Sequence, residues 1–172
     1  MADASRLSPK VLALVASGAS AAVIMGQFLD EKEGSNLRSY QDGVKVWTAC
    51  RGVTRHKGQP IRPGMVFTPQ ECADMDQTEL FQALDELETL VTVPLSEPAR
   101  AGIASFCTYN IGGPKCRTST FLKLLNQPAK RVEACNQIPL WIRDGGKDCR
   151  IRSNSCFGQV ERRAQERELC LM

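Results

Sequence analysis

Histidine is almost absent from this chain, because His56 is the single example in 172 residues. No two cysteines have the C-x-x-C spacing of a zinc ribbon or finger. The sequence therefore argues against a structural zinc site and against a zinc amidase, since one histidine cannot furnish the usual ligand set. A Cys-His peptidase would depend on His56, which lies in a Lys/Gly-rich loop without an evident orienting residue. We expect neither a metal nor another cofactor.

A large excess of charge of either sign is also missing. The chain has 22 basic and 19 acidic residues, a formal net charge of +3, and no dense basic stripe. This balance argues against a nucleic-acid partner. No internal repeat or low-complexity tail is present. A hydrophobic content of 42% is enough for a real core, and the length suits one domain or two closely packed lobes. We expect a monomer.

Cysteine, by contrast, is plentiful. The chain has eight cysteines, at positions Cys50, Cys72, Cys107, Cys116, Cys135, Cys149, Cys156 and Cys170. An even number of scattered cysteines is typical of disulfides formed in an oxidising compartment, although a set of reduced, buried thiols is the alternative. Sequence alone does not choose the connectivity. Short loops favour Cys107–Cys116 and Cys149–Cys156.

The N-terminal region contains an uncharged segment, residues 11–29, of about nineteen residues, which is just long enough to span a bilayer as a helix. Basic residues precede it and acidic residues follow it, which favours a cytoplasmic N-terminus. Abundant Ala, Gly and Ser make the segment only weakly apolar. Three interpretations remain: a signal peptide cleaved near Ala19-Ser20-Ala21, a helix of the soluble core, or a marginal membrane anchor that inserts and later leaves. Cleavage would remove the helix that ends at Glu33.

Residues 33–54 place two carboxyls and a hydroxyl at defined spacings. Glu33 stands at a predicted helix end, Asp42 follows nine positions later, and Thr48 six positions after that. The alternation over residues 43–47 is typical of a short strand, and Asp42-Gly43 is typical of a hairpin turn. Two carboxyls in different environments can supply a proton to a departing oxygen and negative charge opposite an oxocarbenium ion. Taken singly, these residues also suit a solvated acid, a turn former and a strand residue.

The spacing of these residues resembles the catalytic signature of the phage-type lysozymes, the endolysin family of glycoside hydrolases. Glu33-Gly34, Tyr40-Gln41-Asp42 and Trp47-Thr48 fill the family positions without a gap. Residues 105–112 are similar to the family segment S-F-x-x-N-x-G, and residues 117–126 to its helix S-T-L-L-K-x-L-N. The closing family pattern, W…G-G-K…G-L-x-x-R-R, is matched by Trp141, Gly145-Gly146-Lys147, Gly158 and Arg162-Arg163.

One departure from the family follows Thr48. Where the family often reads T-I-G-x-G-H, this chain has Ala49, Cys50, Gly52 and Val53. We therefore expect the packing there, and any histidine-based ion pair, to differ from the family.

The resemblance implies an α+β fold that is mostly α. A small lobe with a β-hairpin (about residues 35–67) would be joined by a long helix (about 69–91) to a helical lobe (about 96–172), with the cleft between them. Residues 30–172 would form this lysozyme-like unit, preceded by residues 1–29. Thr68-Pro69-Gln70-Glu71 is a capping box that predicts the start of the long helix.

The resemblance also implies an activity, hydrolysis of the β-1,4 bonds between N-acetylmuramic acid and N-acetylglucosamine in peptidoglycan. Glu33 would be the general acid, kept protonated near neutral pH by burial. Asp42 would stay ionised and stabilise charge or orient water, and Thr48 would help to hold that water. A lytic transglycosylase, which needs one acid, and a non-catalytic, membrane-tethered wall-binding module are the alternatives.

The uncharged segment is similar to the signal-anchor-release segment of one branch of these endolysins. That similarity implies a precursor tethered to the host inner membrane through residues 11–29, with its N-terminus in the cytoplasm, and later release to the periplasm. Glu33 lies four residues past Leu29, so an inserted helix would hold it within about 14 Å of the hydrocarbon edge. Activity would then depend on release.

Two further expectations concern the C-terminal part of the chain. Trp141 is interpreted as packing beneath the cleft or in the core of the lobe, with a platform for sugar as the alternative. The last helix carries a run of charges interpreted as a solvated face with i,i+4 pairing: Glu161, Arg162, Arg163, Glu166, Arg167 and Glu168.

Overall fold

A computed structural model describes residues 6–42 and 45–172 of the protein. The uncharged N-terminal segment forms two helices, α1 (Pro9–Ala16) and α2 (Ala21–Lys32). The Ser8 hydroxyl caps α1 by accepting from the Val11 N–H at 3.1 Å, and Gly18, at φ +72°, allows the turn between the helices. The apolar face of α2 is buried in the main core through Ala21, Ile24, Met25, Phe28 and Leu29. Within the described ranges, no helix has both the length and the apolarity to cross a membrane.

A hairpin follows directly. Strand β1 (Asn36–Gln41) pairs antiparallel with β2 (Trp47–Cys50), and Tyr40 lies opposite Thr48. The alternation over residues 43–47 predicted a strand there, but β2 begins only at Trp47. Lys45 and Val46 precede it, and residues 43 and 44 lie outside the described chain. A smaller hairpin, β3 (Arg55–His56) with β4 (Gln59–Pro60), completes this part. A separate apolar cluster lies beneath it, formed by Ala49, Cys50, Val53, Ile61, Phe67, Cys72 and Met75.

The long helix α3 (Pro69–Leu90) matches the sequence prediction closely. Its capping box is present, with the Glu71 N–H donating to the Thr68 hydroxyl at 3.1 Å and the Thr68 N–H donating to the Glu71 carboxylate at 2.8 Å. Cys72 and Met75 contact the small cluster, whereas Leu80, Ala83, Leu84, Leu87 and Leu90 belong to the main core. The helix therefore joins the two apolar clusters.

The remaining elements are short, except for the last helix. They are α4 (Glu97–Ala104), a π-helical stretch (Ser105–Asn110), α5 (Gly113–Arg117), α6 (Thr120–Leu125), a 3-10 turn (Pro128–Lys130), α7 (Arg131–Cys135), a 3-10 turn (Ile138–Leu140), the pair β5 (Arg143–Asp144) and β6 (Lys147–Asp148), a 3-10 turn (Arg152–Asn154) and α8 (Gly158–Leu171). The class is thus α+β and mostly α, as expected.

Aromatic packing places Trp141 at the edge of the main core. Phe106 makes edge-to-face contacts with Phe121 at 5.0 Å and with Trp141 at 5.8 Å between ring centroids. Of the interpretations made from the sequence, packing in the core of the lobe is the one that these contacts favour.

All eight cysteines are paired. The two short-loop pairs, Cys107–Cys116 and Cys149–Cys156, are confirmed. Cys50–Cys72 connects β2 to α3, and Cys135–Cys170 connects α7 to α8. These two pairs join segments that are distant in the sequence, which restricts the unfolded chain more than a short loop does.

Helix α8 packs closely on α4, at Gly102. A Cβ atom at this position would lie 2.5 Å from the Cβ of Leu169 and 3.0 Å from the Glu166 carbonyl oxygen. The close approach of the two helices therefore depends on the missing side chain.

We predict that Gly102→Ala lowers the free energy of unfolding by about 2 kcal/mol, because the added methyl forces α8 away from α4. Gly158→Ala is the matched control, since its Cβ would meet nothing within 4 Å. In a helix, that change should be neutral or stabilising by about 0.5 kcal/mol. Urea unfolding with the disulfides intact measures both, and equal stabilities for the two variants would contradict the packing argument.

Candidate active site

Glu33 is the residue at which α2 ends. Its N–H completes the helix by donating to the Leu29 carbonyl at 2.9 Å, and its backbone then turns to an extended conformation. The side chain is 28% exposed and accepts a hydrogen bond from Nη1 of Arg162. It lines a groove of about 420 Å³ that Asn110, Gly158 and Gln159 also border. The end of α2 thus presents this carboxyl to a groove.

Arg162 belongs to a buried chain of alternating charges. Its Nε donates to Oε1 of Glu166 at 3.0 Å, and Glu166 has no exposed side-chain surface. Nη1 of Arg163 donates to Oε2 of Glu166, and the Ser105 hydroxyl donates to Oε1 at 2.7 Å. The interpretation of the charge run on α8 as a solvated face was wrong for Arg162, Arg163 and Glu166, which are buried where α8 packs against α4 and the π-helical stretch. The i,i+4 pair exists, and the other three charges are exposed or half-buried.

Burial and the carboxylates have opposing effects on the two arginines. Burial alone would lower the pKa of Arg162, but the carboxylates of Glu166 and Glu33 outweigh it, and the pKa is raised. At Arg163 burial dominates, and the pKa is lowered despite the contact with Glu166. Both guanidinium groups stay charged at neutral pH, because an arginine begins from a very high value.

Asp42 and Thr48 both lie on the first hairpin, where Thr48 is opposite Tyr40. Oδ1 of Asp42 accepts from the Val46 N–H at 2.8 Å, so this side chain also braces the turn. Thr48 is 2% exposed, and its hydroxyl donates to the Tyr40 carbonyl at 3.3 Å. Because the proton is used in that bond, the hydroxyl oxygen keeps acceptor capacity for a water molecule. Neither residue lines the groove at Glu33.

A second charged cluster, centred on Arg51, was missed by the sequence reasoning. Its guanidinium pairs with Asp30 on α2 and, at 3.5 Å, with Asp76 on α3. Its N–H also donates to Asp76 at 3.1 Å, and its carbonyl accepts from the Tyr109 hydroxyl at 3.3 Å. Arg51 occupies the unspecified position x of the family sequence T-I-G-x-G-H, so that pattern gave no signal for it. Asp76 gave one usable signal, since this acid interrupts the apolar face of α3.

The charge of Glu33 affects the pKa values of two residues in this cluster, Asp76 and Tyr109. Burial raises the pKa of Asp76; the Arg51 N–H and guanidinium oppose that rise, and the charge of Glu33 adds to it. Burial also raises the pKa of Tyr109, and the charges of Glu33 and Asp76 raise it further. Tyr109 therefore remains a neutral hydrogen-bond donor between the two charged clusters.

Comparison with known proteins decides the family. The model of the protein family described as "Phage lysozyme" matches residues 30–166, which is most of the chain. The chain belongs to the phage lysozyme family. It is therefore a glycoside hydrolase that acts on peptidoglycan, as the spacing of Glu33, Asp42 and Thr48 led us to expect.

Individual relatives agree with this assignment. The lysozyme is 53% identical over 163 residues to the SAR-endolysin of Escherichia phage 933W, an alignment covering 95% of this chain and 92% of that protein. It is 52% identical over 163 residues to the probable prophage lysozyme of Escherichia coli K12, with the same coverage. The endolysin from Escherichia coli O157:H7 phage FAHEc1 shares the fold, with a TM-score of 0.72, 24% identity and coverage of 90% of this chain and 92% of that one.

We predict that Arg51→Met lowers the free energy of unfolding by about 2 kcal/mol at pH 7, because it leaves the buried Asp76 carboxylate without its cation. Since burial raises the pKa of Asp76 in the folded state, a protonated Asp76 favours folding and its ionisation opposes folding. The deficit should therefore be small below about pH 4 and grow as the pH rises.

Urea unfolding at acidic and neutral pH measures this difference. Arg55→Met is the control. Within the described part of the chain, the exposed side chain of Arg55 donates only to the Gly58 carbonyl. A deficit of Arg51→Met that is the same at both pH values would refute the role given to Asp76.

Proposed function

We propose that Glu33 is the general acid of glycan hydrolysis, that Asp42 stabilises the developing positive charge or orients the attacking water, and that Thr48 holds this water. The observation that carries the proposal is the presentation of the Glu33 carboxyl at the end of α2, in a groove, against a buried arginine. The substrate bond is the β-1,4 link between N-acetylmuramic acid and N-acetylglucosamine.

The proton and the bonds can be followed through the step. Glu33 gives its proton to the glycosidic oxygen as the bond from that oxygen to the anomeric carbon breaks. The departing sugar leaves with a hydroxyl, and water adds to the anomeric carbon and gives up a proton to the solvent, from which Glu33 is protonated again before the next turnover. Arg162 then stabilises the Glu33 carboxylate that remains, because a guanidinium favours the charged form of a nearby acid. Asp42 and Thr48, on one hairpin, serve the water.

We predict that Glu33→Gln lowers hydrolysis of purified peptidoglycan by about a thousandfold, the usual range for loss of a general acid. Asp42→Asn should also be strongly impaired. Glu133→Gln is the control, because it removes an exposed carboxylate on α7. In the part of the chain that the structure describes, this carboxylate pairs only with Lys130. Clearing of a peptidoglycan suspension gives the rates, and circular dichroism checks that each variant is folded.

Two further measurements separate the alternatives. Mass spectrometry of the products distinguishes hydrolysis, which leaves a reducing end, from transglycosylation, which leaves an anhydro end. Pelleting with peptidoglycan tests the alternative of a non-catalytic wall-binding module. Such a module would bind peptidoglycan, and Glu33→Gln would not change its effect on the host cell. Near-normal turnover of Glu33→Gln would remove the assignment of the acid.

We further propose that residues 11–29 first insert into the host inner membrane, with the N-terminus in the cytoplasm, and later fold into the body of a periplasmic monomer. The folded position of this segment supports the idea, because Ile24, Met25 and Phe28 contribute to the main core and the Ala21 N–H donates to Glu97 at 2.5 Å. An inserted segment would leave that core incomplete and Glu33 unplaced. Four disulfides suit an oxidising compartment.

We predict that Ala13→Leu, Ala16→Leu and Ser17→Leu, combined, hold the protein in the membrane and abolish lysis. These side chains are exposed in the folded protein, so leucine there leaves the core unchanged and strengthens only the inserted state. The matched control carries glutamine at the same three positions and should be released. Membrane fractionation and lysis of the host measure both, and a leucine variant that is soluble and fully lytic would contradict release as the control of activity.

A further inference from the structure

Glu166 is a buried acid that the mechanism above does not use. Its side chain has no exposed surface, and both of its oxygens are occupied. Oε1 accepts from Nε of Arg162 at 3.0 Å and from the Ser105 hydroxyl at 2.7 Å, while Oε2 accepts from Nη1 of Arg163. A buried charge is costly unless it is fully paired, and these three donors meet that requirement.

The contacts of Glu166 determine where Arg162 points. Nε of Arg162 bonds Glu166, and Nη2 lies 3.4 Å from the Ser105 hydroxyl. A guanidinium group is planar and rigid, so two fixed nitrogens determine the direction of the third. That third nitrogen, Nη1, is the donor to Glu33. Glu166 and Ser105 together therefore aim Arg162 at Glu33.

Glu166 also balances charge behind Glu33. Two acids, Glu33 and Glu166, alternate with Arg162 and Arg163 along the buried chain. Without Glu166, two cations would remain in the interior on one side of Glu33. Other titratable groups share the groove of Glu33 or interact with it electrostatically: Glu31 and Lys32 on α2, Asp76 on α3, Tyr109 in the π-helical stretch and Glu161 on α8. Among the titratable groups named here, Arg162 bonds Glu33 directly.

We propose that Glu166 is a positioning residue for catalysis, which aims Arg162 at Glu33 and offsets the positive charge of Arg162 and Arg163 behind Glu33. The inference rests on the proposed role of Glu33 as general acid. It concerns a residue that does not touch the substrate and acts through another side chain.

Two substitutions of Glu166 separate the effect of its charge from the effect of its side-chain length. Glu166→Gln keeps the length of the side chain and removes one negative charge from the buried chain behind Glu33. The alkaline limb of the pH–activity profile should move to lower pH by about one unit, which is about tenfold in rate at a fixed pH on that limb. Glu166→Asp keeps the charge and shortens the reach, so turnover should fall several-fold while the limb stays in place.

A purely structural role predicts something else, namely lower thermal stability of both variants with an unchanged pH profile, and that result would overturn the proposal. If neither variant folds, Ser105→Ala decides, because it loosens Arg162 without a change of charge. It should lower turnover with unchanged pelleting on peptidoglycan, and wild-type turnover would overturn the proposal. Glu133→Gln, an exposed change of the same charge, should leave the profile unmoved.

The failure of this inference can be told apart from failure of the catalytic assignment. Glu33→Gln is measured on the same peptidoglycan in the same series. An active Glu33→Gln variant would refute the assignment of Glu33 as the general acid, and the proposal for Glu166 would fail with it. An inactive Glu33→Gln variant beside a Glu166→Gln variant with the wild-type pH profile removes only the role of Glu166.

Discussion

A row of alternating charges, from Glu33 at the groove through the buried Arg162 and Glu166 to Arg163, is the interaction on which the arrangement of the site depends. Charges of this kind persist in an interior only where every one of them is paired. Their pairing in turn requires α8 to lie tightly on α4, which the missing side chain of Gly102 permits. The packing of two helices far apart in the sequence is thus coupled to the environment of one acid at the end of α2.

The first hairpin is attached to the body by independent means. Cys50–Cys72 links β2 covalently to α3, and the neighbouring Arg51 forms ion pairs with α2 and α3. Thr48 precedes this attachment by two residues, so the position of the strand relative to α2 is constrained close to the proposed water-holding hydroxyl. In this chain, Arg51 and a disulfide hold the segment where the family often has a glycine-rich, histidine-containing sequence.

The N-terminal segment has a composition that suits two environments. Its mixture of Leu, Ile and Phe with Ala, Gly and Ser is apolar enough for a core and only marginally apolar for a bilayer. In the folded protein, Gly18 divides it into two helices, and the second helix ends at Glu33. Because that helix presents Glu33, whatever environment the segment occupies also decides where this acid lies.

The sequence by itself determined the local features: the capping box of α3, the hairpin, the two short-loop disulfides, and a spacing of Glu33, Asp42 and Thr48 specific enough to indicate the family. These follow from interactions between residues close in the chain. Only the tertiary structure decided that Arg162, Arg163 and Glu166 are buried and that Arg51 meets Asp30 and Asp76. A charged helix looks solvated in sequence, since its burial depends on distant partners that neutralise it.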